Sequence, residues 1–222
     1  MIIVFDVNET LLDLTPLDPL FEEALGNAGL RQQWFARMLQ LAFVGGLTDR
    51  YVDFTTAQRA ALAMTARIGG VELDDAEAQR IVGAMRSLPA HPDVPDAVDR
   101  LKAEGFMLAT LTNSPLDVAH DQLRNAGLTD RFDAILSADQ VQALKPKREA
   151  YALAASTFDV PPADVRLVAA HSWDVSGALA AGCAAAFVAR PGQALSPIGD
   201  QPDIVGDDLA AVADAILARD RT

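Results

Sequence analysis

The sequence predicts an α/β fold: a mostly parallel sheet flanked by helices, with a helical cap subdomain inserted near its start. Three observations carry this. Met1-Ile2-Ile3-Val4-Phe5 is a short apolar run ending on Asp6, the pattern of a buried strand. From Phe106 onward, short apolar runs alternate with amphipathic stretches, as repeated βα units require. Between these regions, from about Leu17 to Leu88, there is no convincing strand and apolar residues recur at helical spacing.

In order, the opening strand ends at Phe5 and Asp6 stands at its tip. Four helices follow in the insert, over Leu17–Ala28, Arg31–Val44, Tyr51–Ile68 and Asp75–Leu88, punctuated by Gly45-Gly46 and Gly69-Gly70. Pro89, Pro92 and Pro95 mark the return to the sheet. Strands are expected at Phe106–Leu111, Ala134–Ser137, Val165–Ala170 and Ala184–Ala189. The helices between and after them are expected at Leu116–Ala126, stopped by Gly127, and at Glu149–Phe158, Asp174–Ala181 and Asp207–Ala218. The division is a Rossmann-like core of residues 1–14 and 90–222 and a helical cap of residues 15–89.

Composition narrows the function. A 222-residue chain that is 50% hydrophobic can bury a sizeable core. A formal charge of −13 disfavours nucleic acid, whose phosphates need clustered Lys and Arg. It leaves a small anionic substrate open, because local charge can differ from the total. No apolar run approaches the ~20 residues that span a bilayer, so no membrane partner is expected. No signal peptide is read before Met1-Ile2-Ile3, and Cys183 is the only cysteine, so the expected setting is a reducing, cytoplasmic one. Apolar cap helices could pack on the core or form a homodimer face.

A carboxylate at the carboxyl end of a parallel strand sits where open α/β sheets build their sites. Asp6 could attack an electrophile, hold a metal, or merely cap a helix or fill an ion pair. Four ordered stretches decide among these: Phe5-Asp6-Val7-Asn8-Glu9-Thr10-Leu11, Leu111-Thr112-Asn113-Ser114, Lys145-Pro146 and Trp173-Asp174. With the helical insert, they resemble the haloacid dehalogenase superfamily over nearly the whole chain. Arg50-Tyr51-Val52-Asp53-Phe54, Leu136-Ser137-Ala138-Asp139 and His171-Ser172-Trp173-Asp174-Val175 look like its L-2-haloacid dehalogenase branch.

The resemblance implies hydrolysis of short 2-haloacids, haloacetates among them, through an ester on Asp6, with no metal and no organic cofactor. Phosphatases of the superfamily carry a second aspartate two residues after the nucleophile. Here that position is Asn8, which cannot shuttle a proton. Their Gly-Asp pair before the last motif is replaced by Ala169-Ala170-His171-Ser172, which leaves few of the hard oxygen ligands Mg²⁺ wants.

Roles follow on the matching positions. Thr10 could hydrogen-bond Asp6, and Lys145 could keep Asp6 ionised and aimed. Asp174 could cap its helix, hold Lys145, or both. Donors for the substrate carboxylate are expected from Thr112, Asn113 and the backbone of Val7 and Asn8. Tyr151 could join the carboxylate network or sit in the core, and Trp173 reads more as packing than chemistry, with a place beside the substrate.

Three positions depart from the branch. Typical members follow the tryptophan matching Trp34 with an arginine for the halide, and here Phe35 stands there. Arg37, two residues later, does not share its helical face. A halide could then rest against the positive edges of Phe35 and Trp34. Ala169 replaces a serine and His171 an asparagine. His171 is expected to activate water, oriented by a carboxylate of the first cap helix, Asp18 ahead of Glu22. His91 and His120 read as surface residues. Two other readings stay open: a phosphatase or phosphonatase-like hydrolase, and a non-catalytic cap-and-core binding protein.

Overall fold

The computed structural model describes residues 1–220. Six parallel strands form one sheet in the order β3-β2-β1-β4-β5-β6. They are β1 (Ile2–Phe5), β2 (Met107–Thr112), β3 (Ala134–Ser137), β4 (Val165–Ala169), β5 (Ala184–Val188) and β6 (Ile204–Gly206). Strand β1 is central, paired with β2 and β4, and Phe5 is in register with Thr110 and Val168. It is apolar at every position because both faces are covered. Ile3 and Phe5 enter the core on one side of the sheet, and Ile2 and Val4 enter the core on the other.

Five helices lie between β1 and β2, and the first four are α1 (Asp18–Leu25), α2 (Leu30–Leu47), α3 (Phe54–Ile68) and α4 (Asp75–Ala84), the last extended by a 3-10 turn at Met85–Ser87. Helix α1 stops at Gly26, whose φ of 70° is left-handed. Asp53 and Asp74 cap α3 and α4, accepting from Thr56 N–H at 2.9 Å and Glu77 N–H at 2.8 Å. The chain leaves and re-enters the sheet layer at one place. Asp13 N–H donates to Pro89 carbonyl and His91 N–H to Leu11 carbonyl, both at 2.9 Å.

The remaining helices are α5 (Val94–Ala103), α6 (Leu116–Asn125), α7 (Arg148–Thr157), α8 (Ser172–Ala180) and α9 (Leu209–Arg219). The α/β expectation holds, with every strand pair parallel. Helix α5 and strand β6 escape the sequence reading. Pro95 hides α5, although proline is welcome in a first helical turn. Strand β6 has three residues, too few to show a period. No described helix is long and apolar enough to cross a membrane.

Candidate active site

Because β1, β2 and β4 are adjacent and parallel, their carboxyl ends bring Asp6, Thr112-Asn113 and Ala170-His171 to one edge, where the strand order reverses. Asp6 continues β1 by one residue, its N–H donating to Val168 carbonyl at 3.0 Å. The Val7 carbonyl then accepts from Leu11 and Leu12 N–H at 2.9 and 3.0 Å, closing the turn that returns Thr10 to Asp6. Thr10 Oγ1 donates to Asp6 Oδ2 at 2.8 Å and accepts from Ala170 N–H at 2.9 Å.

Lys145 reaches the same carboxylate from the loop before α7. Its Nζ lies 2.8 Å from Asp6 Oδ1 and 2.6 Å from Asp174 Oδ2. All three side chains are buried. Burial by itself raises the pKa of Asp6, but the Lys145 charge and the His171 hydrogen bond outweigh it and hold Asp6 well below the usual carboxylate range. Burial would lower Lys145, yet Asp174 and Asp6 together raise it, so it stays an ammonium. Asp174 is raised, by burial against the opposing pull of Lys145. Tyr151 donates to Asp174 Oδ1 at 2.6 Å, and burial with that carboxylate keeps its phenol neutral.

His171 stands between two carboxylates. Nδ1 lies 3.0 Å from Asp6 Oδ2 and Nε2 lies 2.9 Å from Glu9 Oε2. Burial disfavours its charge, but the hydrogen bonds to Asp6 and Glu9 win and push its pKa up to about 9. With Asp6 ionised, the ring is an imidazolium at neutral pH. It has no free nitrogen for a water proton, which corrects the expectation of a resting base. Its carboxylate partner is also corrected. Asp18 is taken by Arg31 Nε, and Glu22 accepts from Ala28 N–H at 2.8 Å, so neither serves the ring.

A cavity of about 520 Å³ opens beside this cluster. Glu9, Arg31, Phe35, His91, His171 and Trp173 line it, with Arg190 and Gln193. Asp6 and Lys145 are not among its lining residues, but Asp6 Oδ2 lies 3.0 Å from His171 Nδ1 and Lys145 Nζ lies 5.9 Å from the Trp173 ring centroid. Arg31 is 6% exposed, and its Nη1 is 3.5 Å from Glu9 Oε1. Arg190 braces the nucleophile turn: its Nη1 grips Asp93 at 2.8 and 2.9 Å and its Nη2 donates to Thr10 carbonyl at 3.0 Å.

Several other expectations are corrected. Trp34 is fully buried in the helical insert, its Nε1 donating to Gln58 carbonyl at 2.9 Å and its ring 5.2 Å from Phe21. It does not reach the cavity, and neither does Arg37. Asn8 spends its amide on Ser114 Oγ at 3.3 Å and Gln122 Nε2 at 2.9 Å. Thr112 Oγ1 accepts from Ser114 N–H at 3.1 Å. Asn113 clamps the Lys145 backbone, accepting from its N–H at 2.7 Å and donating to its carbonyl at 3.2 Å. The side-chain amides of Asn8 and Asn113 are thus engaged within the protein.

Tyr151 sits behind Asp174, not beside the cavity. Asp174 is three residues into the first turn of α8, whose cap position is His171. It therefore holds Lys145 and does not cap the helix. His91 is half-buried and lines the cavity, while His120 is exposed as expected. Phe35 does line the cavity, stacked 5.7 Å from the His171 ring. Trp173 also stacks on that ring, at 5.3 Å, and its Nε1 is buried without an acceptor among the described residues.

Residues 1–182 match the family model described as haloacid dehalogenase-like hydrolase. The chain is 31% identical over 214 residues to the (S)-2-haloacid dehalogenase of Pseudomonas sp. (strain YL), covering 96% of this chain and 92% of that one. It is 30% identical over 217 residues to haloacetate dehalogenase H-2 of Moraxella sp. (strain B), covering 97% and 95%. Its fold superposes with a TM-score of 0.92 on L-2-haloacid dehalogenase from Xanthobacter autotrophicus with chloropropionic acid covalently bound, at 28% identity and over 100% of both chains.

Proposed function

The chain belongs to the haloacid dehalogenase-like hydrolase family, and on that premise we propose that it hydrolyses the carbon–halogen bond of short 2-haloacids, haloacetates included. The observation that carries this reading is the Asp6 carboxylate, ionised at the tip of β1 and pinned by Lys145 at 2.8 Å. Core residues 1–14 and 90–222 carry the nucleophile, and insert residues 15–89 cover it.

Asp6 attacks C2 opposite the halogen. The C–O bond forms as the C–X bond breaks, and the electron pair leaves with the halide. The substrate is an anion meeting an anion, so cations must offset the repulsion. Lys145, the His171 imidazolium and Arg31 supply them, and the unpartnered Trp173 Nε1–H is a further donor for an anion. In the second step water adds to the ester carbon. His171 cannot take its proton, so we assign that role to Asp174, whose raised pKa makes it the better base of the two carboxylates on Lys145.

Phosphoryl transfer is a poorer fit. Asn8 is tied up in hydrogen bonds where the phosphatases carry an acid, and the Lys145 ammonium occupies the space between Asp6 and Asp174.

Halide release from chloroacetate tests the proposal. Wild type should liberate halide and glycolate together, and Asp6→Asn should liberate neither. Intact mass after rapid quench should show a carboxymethyl adduct on the wild-type chain. Turnover without any adduct, or undiminished in Asp6→Asn, is incompatible with the reading.

A further inference from the structure

Both nitrogens of His171 face a carboxylate oxygen, and two acceptors call for two N–H groups. The ring cannot easily turn away, because Phe35 and Trp173 flank it at interplanar angles of 15° and 27°. Glu9 is fixed in turn: Gln193 Nε2 donates to Oε2 at 2.9 Å, and Arg31 Nη1 is 3.5 Å from Oε1.

The two oxygens of Asp6 are unequal. Oδ2 accepts from Thr10 Oγ1 and from His171 Nδ1. The Thr10 hydrogen is committed there, because its oxygen already accepts from Ala170 N–H. Among the described residues, Oδ1 accepts only from Lys145 Nζ. A carboxylate oxygen has about two lone-pair directions, so Oδ2 is filled and Oδ1 keeps one free.

We propose that Oδ1 is the attacking oxygen, that Oδ2 becomes the ester carbonyl oxygen, and that His171 Nδ1–H and Thr10 Oγ–H form the oxyanion hole for ester hydrolysis, with Glu9 as the residue that positions the ring. This rests on the aspartyl-ester reading above. The water oxygen bonds to Cγ, its proton passes to Asp174, and the Cγ–Oδ2 π pair moves onto Oδ2, where two donors meet it. Collapse restores the carbonyl and breaks Cγ–Oδ1, and the departing alkoxide takes the proton from Asp174. The hydroxy acid leaves with Oδ1. Asp6, now carrying the water oxygen, releases its proton to solvent. Haloacid and water thus yield hydroxy acid, halide and a proton.

The charge of Glu9 persists when Asp6 is esterified, so the ring keeps one anionic partner through the step that needs its N–H. The charged groups around it are Asp6 and Glu9 on its nitrogens, Lys145 behind Asp6, Arg31 behind Glu9, and Arg190 and His91 across the cavity.

The test follows the ester directly, by rapid-quench mass spectrometry with chloroacetate from about pH 6 to about pH 10. His171→Ala should give a halide burst near one equivalent and slow ester decay roughly 10²-fold. His171→Asn offers an N–H but cannot accept a proton, and it should recover roughly tenfold of that loss. Wild-type ester decay should fall as rising pH removes the ring proton, at a pH below the free enzyme's value of about 9, because the esterified Asp6 no longer carries the charge that helps hold that proton. In Glu9→Gln that fall should move to lower pH, an effect a purely structural residue would not produce. Ester decay in His171→Asn as slow as in His171→Ala, or wild-type decay that climbs through neutral pH, overturns the oxyanion assignment. Absence of any carboxymethyl adduct on the quenched wild-type chain overturns the ester reading and this inference with it.

Discussion

Lys145 Nζ lies 2.8 Å from Asp6 Oδ1, with both residues buried. It holds Asp174 at 2.6 Å with the same ammonium. Lys145→Met removes the charge and leaves two buried carboxylates facing each other, so one of them must take up a proton. Asp174, whose pKa is already raised, takes it, and halide release should fall at least roughly 10³-fold because the cation that aims Asp6 and offsets the substrate's charge is gone. Breaking a buried ion pair on one side costs about 3–5 kcal/mol, so the melting temperature should fall too. A variant that keeps near-normal turnover would show that Asp6 is ionised by something else.

Trp173 lines the cavity with its indole Nε1 buried and unpartnered. An unmet buried donor costs about 1–3 kcal/mol, and an anion that accepts from it recovers that. Trp173→Phe keeps the stacking against His171 and removes the N–H. KM for chloroacetate should rise roughly tenfold with little change in kcat. An unchanged KM would remove Trp173 from the anion site.

Arg31 lines the cavity one helical turn before Phe35, on the same face of α2. Arg31→Gln should raise KM, and the effect should exceed that of Gln32→Ala on the neighbouring cavity wall. Because Arg31 also holds Asp18 and Glu9, a comparison of melting curves separates lost binding from lost packing.

Asp6 was legible because it sits at a strand end, where parallel topology converges, and Lys145 and Asp174 because the Lys145-Pro146 and Trp173-Asp174 pairs follow it in order. Glu9 was not legible. A charged side chain in a tight turn reads as solvated, and only the fold brings it to His171, 162 positions away. Helix α2 misled for a different reason. Its apolar residues run around both sides, so the sequence does not say which face meets the cavity. Arg31, Phe35 and Leu39 take that face at four-residue spacing, while Trp34 and Met38 turn into the insert's own core. The expected Trp34–Phe35 cradle therefore splits between two environments, and Arg31 is the helix's cation at the cavity.

Gly177 of α8 lies so close to α7 that a Cβ there would meet Tyr151 Oη at 2.3 Å and Pro146 Cβ at 2.6 Å. Tyr151 is the hydrogen-bond donor to Asp174 Oδ1. Gly177→Ala should thus misplace Asp174 through Tyr151 and cost about 1–3 kcal/mol by overpacking. Tyr151→Phe removes the same hydrogen bond without the clash. If Tyr151→Phe lowers the ester-decay rate while Gly177→Ala lowers both that rate and the melting temperature, the two effects are separable. Equal stability of Gly177→Ala and wild type would contradict the packing.

The His171 pKa, raised from about 6.5 to about 9 in the fold, ties stability to pH in a defined window. A folded-state pKa above the unfolded one means that the native protein holds the proton more tightly. The contribution is complete below about pH 6.5 and is lost as pH rises toward about 9. The linked free energy is about 3 kcal/mol, since each unit of pKa corresponds to about 1.4 kcal/mol. Asp6 acts in the opposite direction, because its pKa is depressed. Its contribution holds above about pH 4 and fades only in strong acid, so the two do not overlap near neutrality. Urea melts from about pH 6 to about pH 9 should therefore show wild type losing stability. His171→Asn, with no proton to lose, should show a flatter profile over the same range. Parallel profiles for the two proteins would mean that His171 is not charged in the native state, and the imidazolium assignment would fall with it.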